Sequence, residues 1–105
     1  MPVSQNEIRD VVLKCLCLVI KVSGLETPSD MNDRMDPIDN LGLDSHDGIM
    51  FALEVENRLN MKIPDSVNPF RKEGKGNRCI GEIVVLIWDL IAKKPHIFGL
   101  GTKAK

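Results

Sequence analysis

The chain is expected to fold as an all-α, up-and-down bundle of four helices, three long and one short. Three observations predict this. Apolar residues recur at three- and four-residue spacing in three separated stretches, no stretch alternates with the period of a strand, and capping residues or prolines bound the helical stretches. At 105 residues the chain makes one domain, long enough for a modest core.

Ser4-Gln5-Asn6-Glu7 reads as a capping box opening the first helix. Ile8, Val11, Val12, Cys15, Leu16, Val19 and Val22 then line one apolar face, and Ser23-Gly24 ends the helix. Residues 25–43 form a long acidic loop holding Pro28 and Pro37, with Ile38, Leu41 and Leu43 available to pin it to the core. The second helix begins near Ser45 and runs to about Leu59. Ile49, Ala52, Leu53, Glu56 and Leu59 trace its inward or flanking stripe, with Val55 beside them, and Pro64 prevents its continuation. Asp65 is placed to cap the short helix before Pro69. Residues 71–78 carry four bases and two glycines and read as an exposed loop, with a weak second reading as a site for an acidic membrane or a phosphorylated ligand. The last helix spans Cys79 to Lys93 with Ile80, Ile83, Val84, Ile87, Leu90 and Ile91 on its core side. Trp88 lies off that stripe. Lys93 and Lys94 suit the negative end of the helix dipole, and Pro95 stops the helix. This gives a folded domain over 1–95 and a flexible tail over 96–105.

Composition narrows the function. Hydrophobic residues make up 43% and charged residues 28%, which is ordinary for a soluble chain, while the 4% of aromatics predict an aliphatic core. Residues 1–65 carry a net charge of −6 and residues 66–105 a net +5, and neither part is basic enough to indicate nucleic acid. The most apolar window, Ile83 to Trp88, is too short to span a bilayer, and the start lacks the pattern of a signal peptide. Cys15, Cys17 and Cys79 cannot all pair within one chain and show no zinc-type spacing, so free thiols in a reducing cytoplasm are expected. A monomer is expected.

The most informative stretch is Leu41-Gly42-Leu43-Asp44-Ser45, followed by a helical pattern that ends at Ile63-Pro64. It sets one serine hydroxyl at the mouth of a helix, after a glycine-bearing turn and an aspartate. Free N–H groups and the positive dipole end stabilise a phosphodiester there. Asp44-Ser45-His46 also invites a hydrolase reading, which geometry rejects: consecutive residues at a helix start do not face one another, whereas a triad is assembled from distant segments.

These residues resemble the acyl carrier protein family, over roughly residues 4 to 92 and most densely over 38 to 65. The family carries 4′-phosphopantetheine on the serine of an Asp-Ser-Leu motif, read here as Asp44-Ser45-His46. The resemblance implies a bundle of the acyl-carrier type, a covalent phosphopantetheine on Ser45, and Asp44 lying beside the magnesium and coenzyme A in the transferase complex. It implies no catalytic activity. The expected partners are a phosphopantetheinyl transferase and acyl-transferring, synthetase or ketosynthase enzymes, which serve fatty-acid or specialised lipid or secondary-metabolite synthesis. His46 departs from the family's leucine, and Met50, Asn57 and Asn60 stand where acids are frequent. Asp47 and Glu56 are the expected docking positions, with His46 and Met50 as further partner contacts. Met50 is exposed by the helical count. Gly48, with Ala52, leaves space near the attachment point, and the aliphatic core would shelter an acyl chain. Two other readings stay open: a helical protein–protein interaction module without a carrier arm, and an aminoacyl or peptidyl carrier.

Overall fold

The computed structural model describes residues 4–72, 74 and 76–97, with residues 93–97 as helix backbone alone. Three helices form among them: α1 over Gln5–Val22, α2 over Ser45–Leu59 and α3 over Ile80–Ile97. The only strand-like pairing among the described residues is an isolated bridge between Arg71 and Asn77.

Helix α1 starts on the expected capping box. Ser4 Oγ accepts from the Glu7 N–H at 3.1 Å, and the Glu7 carboxylate accepts from the Ser4 N–H at 2.7 Å. It ends in a Schellman motif: Gly24, at φ 79°, donates to Lys21 O, and Leu25 N–H reaches Ile20 O, both at 3.0 Å. Helix α2 ends where Asn60 turns left-handed at φ 52°, a conformation asparagine tolerates, and Met61 N–H bonds Glu56 O at 3.2 Å. Ser23 Oγ meets Asp47 Oδ1 at 3.1 Å, while Cys15 lies in the field of Arg58 and Glu54, so α1 and α2 run antiparallel. Helix α1 packs against both other helices and is the centre of the bundle.

The long loop is pinned much as expected. Leu41 and Leu43 are buried and Ile38 is half-buried against the core. Asp36 organises its turn by accepting from the N–H groups of Ile38 (2.8 Å) and Asp39 (3.2 Å). The same loop seats α3, since Ile80 N–H bonds Met35 O and Gly81 N–H bonds Asp33 O, both at 2.9 Å. On α3, Ile80, Ile83, Val84 and Ile87 are buried, and Leu90 and Ile91 are half-buried.

Several expectations are corrected. The short fourth helix is not formed among the described residues: Pro64 to Val67 makes one turn closed by a 2.9 Å bond, and Pro69, which has no N–H, disfavours helical backbone at Asn68 before it. Pro95 does not stop the last helix, whose backbone continues to Ile97 although the proline has no N–H to offer the ladder. Residues 98–105, most of the expected tail, lie outside the described residues. The inward face of α2 is Gly48, Phe51 and Val55 rather than the stripe through Ile49 and Leu53, which are 54% and 58% exposed. Val22, at the end of α1, is exposed as well. Nor is the core purely aliphatic. Phe51 and Phe70 are the largest fully buried side chains, with ring centroids 5.3 Å apart and planes tilted by 38°. The bulkiest side chain on α2 gains most by leaving water, and it rotates the helix so that Ile49 and Leu53 face out.

Candidate functional site

The mouth of α2 is built by two carboxylates. Asp44 is the N-cap in extended backbone, its Oδ1 accepting from the Asp47 N–H at 2.9 Å. Asp47 returns the bond, its Oδ2 accepting from the Asp44 N–H at 3.0 Å. This reciprocal box fixes Ser45 as the first helical residue. Gly42, at φ 80°, makes the turn that delivers Leu43 into the core immediately before it.

Ser45 is exposed, and among the described residues its hydroxyl makes no hydrogen bond. The N–H groups of Ser45 and His46 are likewise unbonded among the described residues, as the first donors of a helix usually are. The Ser45 carbonyl is held from outside the helix, accepting from Asn68 Nδ2 at 2.9 Å. An exposed hydroxyl thus stands beside two open donors on a backbone held by the Asp44–Asp47 box and by Asn68. These features fit a phosphodiester at Ser45 Oγ.

The other candidate residues are placed as follows. His46 is exposed, and neither its ring nor the Asp44 carboxylate bonds the Ser45 hydroxyl, so no proton-relay geometry exists here. Among the described residues no group of histidine, cysteine, aspartate or glutamate side chains is arranged to hold a metal ion. Met50 is half-buried rather than exposed, and lines a shallow groove with Leu18, Val22 and Leu53, because α1 passes beside it. Glu56 is half-buried, and its carboxylate accepts from the Ile63 N–H at 2.7 Å. Asp47 and Glu56 therefore both brace backbone, one at each end of α2.

The structure also corrects the role of Gly48. The space left by its missing side chain is filled by Asn68 and Phe70 and is not open to an arm. Asn68 was the functional neighbour that sequence patterning missed, although Asn68-Pro69 is a turn signal that marks it. On the adjoining face of α2, Ile49, Ala52, Leu53, Glu56, Ile63, Pro64, Asp65 and Val67 line a largely apolar groove of about 280 Å³.

Among curated proteins, the chain is similar to the meromycolate extension acyl carrier protein of Mycobacterium bovis and to the protein of the same name in two strains of Mycobacterium tuberculosis. Each is 30% identical over 96 residues, which cover 91% of this chain and 75% of the relative. No protein-family model matches the chain, and neither does any solved structure.

Proposed function

Since the chain belongs to the acyl carrier protein family, we propose that it holds acyl groups on a 4′-phosphopantetheine arm attached to Ser45, for lipid chain extension of the kind its relatives are named for. The observation that carries this reading is the exposed, unbonded hydroxyl of Ser45 at the first turn of α2, beside two open N–H groups. The arm supplies the thiol on which an acyl group rides as a thioester.

The chain's own residues do the rest. The Asp44–Asp47 box holds Ser45 outward for a phosphopantetheinyl transferase, and the N-terminal amides offset the phosphodiester charge. Asp44 is the acid that would face the magnesium of the transferase complex. The groove between α2 and the 63–67 turn, apolar at Ile49, Leu53, Ile63 and Val67 with Glu56 and Asp65 on its wall, is a shelter for the start of an acyl chain. His46, Asp47, Met50 and Glu56 lie along α2 as contacts for acyl-transferring, synthetase or ketosynthase enzymes, with the exposed Ile49 and Leu53 adding apolar area. Tethering cargo to the carrier raises its effective concentration at each docked enzyme, and the carrier needs no catalysis of its own. The carrier is proposed to work as a monomer in the cytoplasm, without nucleic acid; among the described residues no helix is long and apolar enough to cross a membrane.

Intact mass after co-expression with a phosphopantetheinyl transferase tests the reading. The wild type should gain one phosphopantetheinyl group, and Ser45→Ala should gain none while keeping its helical circular dichroism. A wild type that gains no mass would instead support the interaction-module reading, and modification persisting in Ser45→Ala would move the site.

A further inference from the structure

A cleft of about 250 Å³, lined by Ser66, Val67, Asn68, Arg71, Lys72 and Arg78, lies next to the attachment residue. Asn68 is the shared wall: it lines the cleft and also donates to the Ser45 carbonyl at 2.9 Å. Half of the lining residues are cations. Arg78 is fixed by one terminal nitrogen, which donates to Asn68 O at 2.9 Å and to Arg71 O at 2.6 Å, so the rest of its guanidinium fork stays open among the described residues. Arg71 is exposed, and its guanidinium makes no hydrogen bond or ion pair among the described residues. Lys72 is shared with Glu82 at 3.1 Å, the one acid paired to this cluster among the described residues. Guanidinium forks match the paired oxygens of a carboxylate or phosphate and bind them with two parallel bonds. The first-turn amides of α2 and the cations of this cleft flank Ser45 together, so an oxyanion carried there can be met by donors from both.

We propose that this cleft binds an oxyanion carried on Ser45, either the phosphodiester of the arm itself or the carboxylate of an acidic acyl cargo. The proposal rests on Ser45 being the attachment residue. It adds to the carrier reading a preference for cargo, or a seat for the arm, on the basic side of the molecule.

The test is nuclear magnetic resonance of the side-chain N–H groups of Asn68, Arg71 and Arg78 in four forms confirmed by mass: unmodified, carrying the free arm, carrying a neutral acyl group, and carrying a dicarboxylic half-thioester of equal length. Shifts that arise when the arm is attached assign the site to the phosphodiester. Shifts that separate the acidic from the neutral cargo assign it to the cargo carboxylate. Either set, read at Arg78, should vanish in Arg71→Gln combined with Lys72→Gln, a pair chosen because Arg78 holds the loop together. Unchanged signals in all four forms, or shifts that survive the double substitution, would overturn the proposal while leaving the carrier reading standing. Absence of any mass gain would remove both.

Discussion

Asn68 fills the space that a side chain on residue 48 would need. A methyl group built on Gly48 collides with Asn68 Oδ1 and comes within 3.2 Å of a Phe70 ring carbon. Asn68 is not free to step aside. Its Oδ1 accepts from the Phe70 N–H at 2.9 Å, and its Nδ2 holds the Ser45 carbonyl at the same distance. One short side chain thus links the first turn of α2, the segment that carries Phe70 and the wall of the basic cleft.

Gly48→Ala should therefore destabilise the protein. Alanine would gain about 1 kcal/mol of helix propensity over glycine. Overpacking against an anchored neighbour typically costs about 1–3 kcal/mol, and here it also strains two hydrogen bonds. The expected net loss is about 1 kcal/mol, or a Tm lower by about 4–8 °C for a domain of this size. Combining Gly48→Ala with Asn68→Ala should cost less than the sum of the two single changes. Strict additivity would show that the two residues do not compete for space.

The legible parts of the molecule were those written in local pattern. Ser4 and Glu7 announce their box because serine and glutamate three apart are its usual pair, and the core face of α3 follows from Ile80, Ile83, Val84 and Ile87 alone. The exposed start of α2 at Ser45 was legible for the same reason. The orientation of α2 was not. Apolar residues stand at 49 to 53, 55 and 59, so several stripes fit the period, and tertiary packing of Phe51 on Phe70 chooses among them. The Asp44–Asp47 box has an aspartate where glutamate is usual, and Asn68 acts across 23 positions in sequence, a relation that no local period encodes.

Glu56 separates a structural role from a docking role. Its carboxylate accepts the Ile63 N–H at 2.7 Å. Glu56→Gln keeps an acceptor oxygen and removes the charge, so it should preserve stability and weaken the salt-dependent part of enzyme docking. Glu56→Ala leaves that N–H without its partner and should cost about 1–3 kcal/mol in urea unfolding. Docking by the glutamine variant that matches wild type at every salt concentration would assign Glu56 to the fold alone.

Asp44 can be divided in the same way. Asp44→Ala removes the cap and should cost about 1 kcal/mol. Asp44→Asn keeps a good cap, because asparagine is as effective there as aspartate. If the carboxylate faces magnesium in the transferase complex, the asparagine variant should fold like the wild type yet gain mass more slowly. Equal rates would leave Asp44 as a cap only.

His46 stands where the family has a leucine. Burying a leucine in an apolar partner pocket gives about 1.5–3 kcal/mol, and a histidine there leaves ring nitrogens poorly paired at a cost of about 1–3 kcal/mol. His46→Leu should therefore raise turnover by a generic ketosynthase or acyl-carrier synthetase by about tenfold or more, at about 1.4 kcal/mol per decade. Because His46 is exposed, stability should stay unchanged. Equal turnover of the two forms would make His46 a passive surface residue.

Cys15 should be the last thiol to react. It is fully buried in α1, whereas Cys17 and Cys79 are half-buried. Burial pushes its thiol up from 9.0 to about 11, with the nearby Arg58 charge lowering and Glu54 raising that value. Alkylation near pH 8 should label Cys17 and Cys79 first and Cys15 only as the fold opens. The same shift sets a pH dependence. Between pH 9 and about 11 the unfolded chain releases the Cys15 proton while the folded protein keeps it, so stability falls with rising pH across that window and the Cys15 contribution is fully present below it. Cys15→Val removes this titration, so the difference in unfolding free energy between wild type and variant should be flat below pH 9 and drift against the wild type above it. A difference that stays flat to pH 11 would mean that the thiol ionises as readily in the folded protein as in the unfolded chain.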